Sequence, residues 1–141
     1  MNKIRFYYKA PLKELKNRNS LKRFIIYLCN AEKKKVEEIS FVFCSDDDLL
    51  AINQQFLQHD TYTDIISFDY SEQPPIIKGE IYISVDRVKE NAKSIGTSLQ
   101  EEIHRVVFHG VLHFCGYKDK LKADKMQMRA KEDFYLRKYL G

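Results

Sequence analysis

The chain has 141 residues, 44% of them hydrophobic and 31% charged, a balance that supports a packed core and excludes disordered, collagen-like and coiled-coil classes. Its apolar runs, such as 24–29 and 39–44, fall well short of the ~20 residues a membrane span needs, so no membrane association is expected. The formal net charge of +4 tilts the surface towards anionic partners without naming one.

Ile4 to Tyr8 alternate loosely and are rich in aromatics, which predicts a strand, followed by a polar turn over Pro11 to Asn19. Leu21, Phe24, Ile25, Leu28 and Cys29 recur on one helical face, with Ser20 as the expected cap. The run Ile39 to Cys44 reads as a buried strand, and Ser45 then caps a helix ending near Leu57, with Asp46, Asp47 and Asp48 in its first turn. Two antiparallel strands, 63–70 and 79–85, are joined by a loop containing Pro74 and Pro75. Asp86 is expected to cap a short helix carrying Val88, Ala92 and Ile95, which Gly96 ends.

Ser98 and Glu101 have capping-box spacing at the start of the next helix, and Gly116 suits its end. Leu99, Ile103, Val106, Val107, Gly110 and Phe114 form one apolar stripe of it, with Phe108 and Leu112 opposite, so this helix is expected to be buried on most faces. Gly110, within the stripe, would admit a neighbouring backbone. A last helix, from about Ala123 to Tyr139, is expected to turn Met126, Ala130, Phe134 and Tyr135 inward. No linker divides residues 1–141, which are read as a single domain.

Cys29, Cys44 and Cys115 form no CxxC pair and sit in apolar stretches, as reduced buried thiols do. The opening Met-Asn-Lys-Ile-Arg-Phe lacks a secretory apolar region, so a cytoplasmic location is expected. Basic residues crowd two places: Lys33 to Lys35, and Lys118, Lys120, Lys122, Lys125, Arg129 and Lys131. Each run could be a solvated face or a phosphate-binding patch.

The strongest chemical signal is His109-Gly-Val-Leu-His113-Phe-Cys-Gly116-Tyr-Lys-Asp119. Four-residue spacing puts both imidazoles on one helix face, one turn apart, as two ligands of one metal require. Gly116 lets the chain reverse, and Asp119 could return a carboxylate to the same ion. With Zn2+ as the expected metal, one per chain, three protein ligands leave a fourth position open for water; Ni2+, manganese or iron also suit these ligand types. Gly110 stands where the metalloprotease pattern puts a general-base Glu, which counts against proteolysis. His104 is read as a satisfied or exposed side chain and His59 as an unassigned loop residue. Asp64, Glu80 and Glu132 could orient parts of the site, although surface or capping roles are the plainer reading.

The pattern His109-Gly-x-Leu-His113-x-x-Gly116-Tyr-x-Asp119 resembles the signature of the YbeY family of bacterial rRNA-maturation endoribonucleases. Asn53, Phe56, Asp60 and the run Thr63 to Phe68 are similar to that family's second motif, and Gly79 to Ile83 to its Gly-Asp-Ile strand, so the matches span roughly residues 49 to 133. The resemblance implies an α+β fold, a four-stranded mixed sheet with helices packed around a central metal-binding helix. It also implies bound zinc and cleavage of single-stranded RNA in 16S rRNA 3′-end maturation and ribosome quality control, with the ribosome or its proteins as partners. Two positions depart from the family pattern: Asp119 replaces the usual third His, and Leu57 replaces an Arg expected to grip phosphate. Lys118 and Lys120, flanking Asp119, are the candidate catalytic cations in its place. Two other readings stay open: a ribosome-associated RNA-binding protein with a structural metal, and a metallohydrolase acting on another substrate.

Overall fold

Residues 3–59 and 61–141 are described by the computed structural model. Ile4–Tyr8 (β1), Lys35–Cys44 (β2), Ile65–Asp69 (β3) and Ile76–Ser84 (β4) form one four-stranded sheet in the order β1-β2-β4-β3. β1 and β4 run parallel to β2 and β3 runs antiparallel to β4, giving the expected mixed sheet of an α+β fold. The helices are Arg18–Ala31 (α1), Asp46–Leu57 (α2), Val85–Ile95 (α3), Leu99–Phe114 (α4) and Lys122–Leu140 (α5).

Strand alternation sorts side chains onto two faces. Phe41, Phe43, Ile81 and Ile83 join the main core with residues of α1, α4 and α5, whereas Cys44 and Ile66 meet Leu49 of α2 in a smaller cluster on the other face. Helix α4 packs on β3 and β4 and touches α1, α3 and α5, so it is central as expected. Ile103, Val107, Phe108, Val111 and Leu112 on it are fully buried. At roughly 1.5–3 kcal/mol per large apolar side chain buried, α4 cannot tilt without losing several such contributions. The histidines it carries therefore stand on a rigid rail.

Capping explains most boundaries. Ser45 accepts from the Asp48 N–H at 3.1 Å, and Ser98 from the Glu101 N–H at 3.0 Å. The Glu101 carboxylate accepts instead from the Thr97 hydroxyl at 2.7 Å, so the capping box closes on a side chain. Helix α3 is capped by Ser84 rather than Asp86, because Asp86 is engaged by the Asp46 N–H at the start of α2. Helix α1 begins two residues before Ser20, behind Asn17 in a left-handed conformation that Asn tolerates. Strands β2 and β4 start earlier than expected because Val36 pairs with Ile77 and both are buried.

Helix α5 corrects part of the expected inward face. Tyr135 is buried as expected, but Met126, Ala130 and Phe134 are exposed, and Met128, Glu132 and Leu136 are buried instead. The true stripe contains a charged residue, which hydrophobic periodicity passes over.

Two glycines set how close α4 comes to the sheet. A Cβ at Gly110 would meet Ile65 and Ile81 methyls at 2.9 Å, so side-chain tips rather than a backbone occupy the space. At Gly79 a Cβ would lie 2.5 Å from the Phe114 ring and 2.7 Å from the Phe68 carbonyl oxygen, which cannot move away. Gly79→Ala should therefore cost about 1–3 kcal/mol in denaturant unfolding, the range of an overpacked core.

His104 is buried, not exposed; its Nδ1–H donates to the Gln100 carbonyl at 2.6 Å, and Nε2 has no partner among the described residues. Burial lowers its pKa despite that bond, so the fold holds it neutral while the unfolded chain protonates near pH ~6.5. The folded state then binds fewer protons, and stability should fall as pH drops below that value. In His104→Gln the loss of stability between about pH 7.5 and pH 5.5 should shrink in urea titrations.

Candidate metal centre

His109 and His113 lie on the last two turns of α4, their ring centroids 4.6 Å apart and nearly perpendicular. Gly116, at φ 105, reverses the chain after α4 and returns Asp119 to the histidines. Asp119 Oδ2 is 3.2 Å from His109 Nε2 and 3.3 Å from His113 Nε2. One ligand atom from each residue lies within 4.8 Å of the other two. Tetrahedral zinc, with bonds of ~2.0–2.1 Å, holds its ligand atoms ~3.3 Å apart, whereas an imidazole–carboxylate hydrogen bond is usually shorter. The carboxylate spacing thus suits a shared cation, and nitrogen and oxygen donors suit zinc or a neighbouring transition metal.

The partner of His109 comes from α5. Its Nδ1 lies 2.6 Å from Glu132 Oε2, while Glu132 Oε1 accepts from Arg105 Nη1 at 3.0 Å and Asp133 accepts from Arg105 Nη2 at 2.7 Å. A carboxylate on Nδ1 selects the tautomer that leaves the Nε2 lone pair for a metal. Burial opposes protonation of His109, but the Glu132 bond and the charges of Glu132, Asp119 and Asp64 outweigh it, so its pKa is raised. Asp64 is itself raised, chiefly by burial.

These groups line an open cleft of about 1110 Å³. Asp64 lies on its wall; Glu80 instead accepts from the Tyr70 hydroxyl at 2.9 Å and does not line it. His59 lines the cleft, and buried Asn53 donates to the Thr61 carbonyl at 2.8 Å, fixing the loop there. Asp60 lies outside the described residues. Leu57 also lines the cleft, so an apolar side chain stands where a cation was expected from the resemblance. Lys120, Lys125, Arg105 and Arg129 supply positive charge to the lining, while Lys118 is exposed and is not part of it.

Arg105 was not anticipated, although it sits four residues before His109 and so shares its helix face. Glu132, for which a surface or capping role was the plainer reading, is instead buried and meets His109; its i, i+4 relation to Met128 and Leu136 marks it as inward-facing. All three cysteines are free, Cys29 and Cys44 buried and Cys115 partly so. No helix among the described residues is long and apolar enough to cross a membrane.

A profile of the family described as Endoribonuclease YbeY matches residues 6–140. The chain belongs to the YbeY endoribonuclease family. The Endoribonuclease YbeY of Flavobacterium psychrophilum is 48% identical over 130 residues, covering 92% of this chain and 91% of the relative. That of Cytophaga hutchinsonii is 45% identical over 129 residues, covering 91% and 90%. A solution structure of a Thermotoga maritima protein superposes with a TM-score of 0.69 at 27% identity, covering 96% of this chain and 88% of that one. Of the signature positions, His109, His113 and Asp119 line the cleft.

Glu132→Gln should weaken zinc binding by about 10- to 100-fold in chelator competition, as loss of a ligand's carboxylate partner does. Because Glu132 raises the His109 pKa, protons compete with metal at higher pH when it is present. The loss of affinity on acidification should therefore begin at lower pH in the variant.

Proposed function

We propose that this chain is a zinc-dependent endoribonuclease that cuts single-stranded RNA, acting in 16S rRNA 3′-end maturation and ribosome quality control in the cytoplasm. On this reading residues 1–141 act as one catalytic domain, and the ribosome or its proteins are its partners. The observation that carries the reading is the approach of the Asp119 carboxylate to both His109 and His113 at zinc-like spacing, in a chain of this family. The curated relatives are named endoribonucleases, which supports RNA as the substrate.

His109, His113 and Asp119 would hold the ion, with Glu132 fixing the His109 ring. A zinc ion there supplies Lewis acidity towards a phosphoryl oxygen and lowers the pKa of water at its open position. Lys118 or Lys120 grips the phosphate; Lys120 is favoured because it lines the cleft. Lys125 and Arg129, also on the lining, add charge that Leu57 lacks. Asp64, whose carboxyl burial keeps protonated to higher pH than usual, is the group lining the cleft that is suited to handing a proton to a leaving oxygen.

A protein that only binds RNA through a structural metal would show binding without turnover. His113→Ala should lose the bound metal equivalent in elemental analysis and lose RNA cleavage with it. Cleavage that persists in metal-free protein would overturn the reading.

A further inference from the structure

Away from the cleft, at the end of α1, Glu32 gathers an unusual set of donors. The Tyr117 hydroxyl donates to its Oε1 at 2.6 Å, the Lys131 ammonium to its Oε2 at 3.1 Å, and the Tyr135 hydroxyl also to Oε2. A carboxylate at a helix C-terminus faces the negative end of the dipole, so the side chain, unlike the backbone N–H that caps the last turn, does nothing for α1 itself. Glu32 is nonetheless nearly enclosed, its side chain 11% exposed, and the donors come from α5 and from the turn after α4. Burial raises its pKa, but the bonds from Tyr117, Tyr135 and Lys131 prevail and lower it, so it stays ionised.

The donor in the turn is the informative one. Tyr117 follows Gly116 and precedes Asp119 by two residues, its N–H bonds the Leu112 carbonyl at 3.1 Å, and the Lys131 ammonium lies 5.6 Å from its ring centre. Its ring is therefore tied to α1 through the hydroxyl and to α5 through Lys131. Asp119 has no such support: its side chain is 40% exposed, and among the described residues its carboxylate is met by the two imidazoles alone. Lys118 and Lys120 on either side are exposed. The reach of Asp119 to the histidines then rests on where the turn is held, and Tyr117 is the anchored residue in it.

We infer that the Tyr117–Glu32 hydrogen bond is a positioning device for the metal site, holding the turn so that the Asp119 carboxylate meets His109 and His113. Glu32 and Tyr117 touch neither substrate nor metal. They make Asp119 a preformed ligand, so that its ordering is settled on folding rather than on metal binding. This inference rests on the proposed ligand set, and its test separates the two.

Zinc chloride titrated against a chelator into metal-free protein reads the effect in four forms: unchanged, Tyr117→Phe, Asp119→Asn, and both together. Tyr117→Phe removes one hydroxyl and leaves Glu32 bonded to Tyr135 and Lys131, so the fold is kept. It should weaken zinc binding about tenfold alone and have little further effect once Asp119→Asn is present. The visible absorption of the Co2+-loaded Tyr117→Phe protein should shift in the direction that Asp119→Asn shifts it, a signature that general destabilisation would not produce. Unchanged affinity in Tyr117→Phe, or an equal loss with and without Asp119→Asn, would overturn the positioning role while leaving the ligand set intact. Unchanged affinity in Asp119→Asn would overturn the ligand set and the inference with it.

Discussion

Glu132 stands almost out of solvent, its side chain 6% exposed, between the Arg105 guanidinium and the His109 imidazole. An ionised carboxylate buried without partners would cost several kcal/mol, so this residue ties α4 to α5 in one relative placement. Arg105 satisfies one oxygen and His109 the other, and the same contact that satisfies the charge aims the ring. Helix packing and ligand orientation are here a single interaction. The burial of α4 along most of its faces fixes the position of the histidines, and Glu132 fixes what one of them presents.

Asp119, the proposed third ligand, obeys a different constraint. It lies on a short reversal between two well-packed helices, where backbone freedom is supplied by Gly116 and direction by the contacts of its neighbours. The outcome is a site with a rigid half on α4 and a half held from outside. The open cleft beside it is lined as well by Leu57, Thr61 and Tyr62, from a different part of the sequence.

Much of this was readable from residue order because its causes are local. The i, i+4 histidines, the Ser45 and Ser98 caps and the glycine reversal each act over a few residues, and each appears where the pattern put it. What escaped reading depends on contacts distant in sequence. The inward face of α5 was misjudged because its stripe includes Glu132, whose reason for burial is Arg105 and His109, more than twenty residues away. Asp86 was misassigned because its donor, Asp46, belongs to another helix. The Glu32 network joins residues 85 or more positions apart and has no local signature at all.

On the proposed reading two imidazoles and one carboxylate share one cation. Crystals of zinc-loaded protein, measured on either side of the zinc absorption edge, would place the ion directly by its anomalous difference density. One peak is expected within ~2.0–2.2 Å of His109 Nε2, His113 Nε2 and an Asp119 oxygen, with the remaining vertex facing the cleft. A peak at another set of residues, or an Asp119 carboxylate turned away from the ion, would contradict the account.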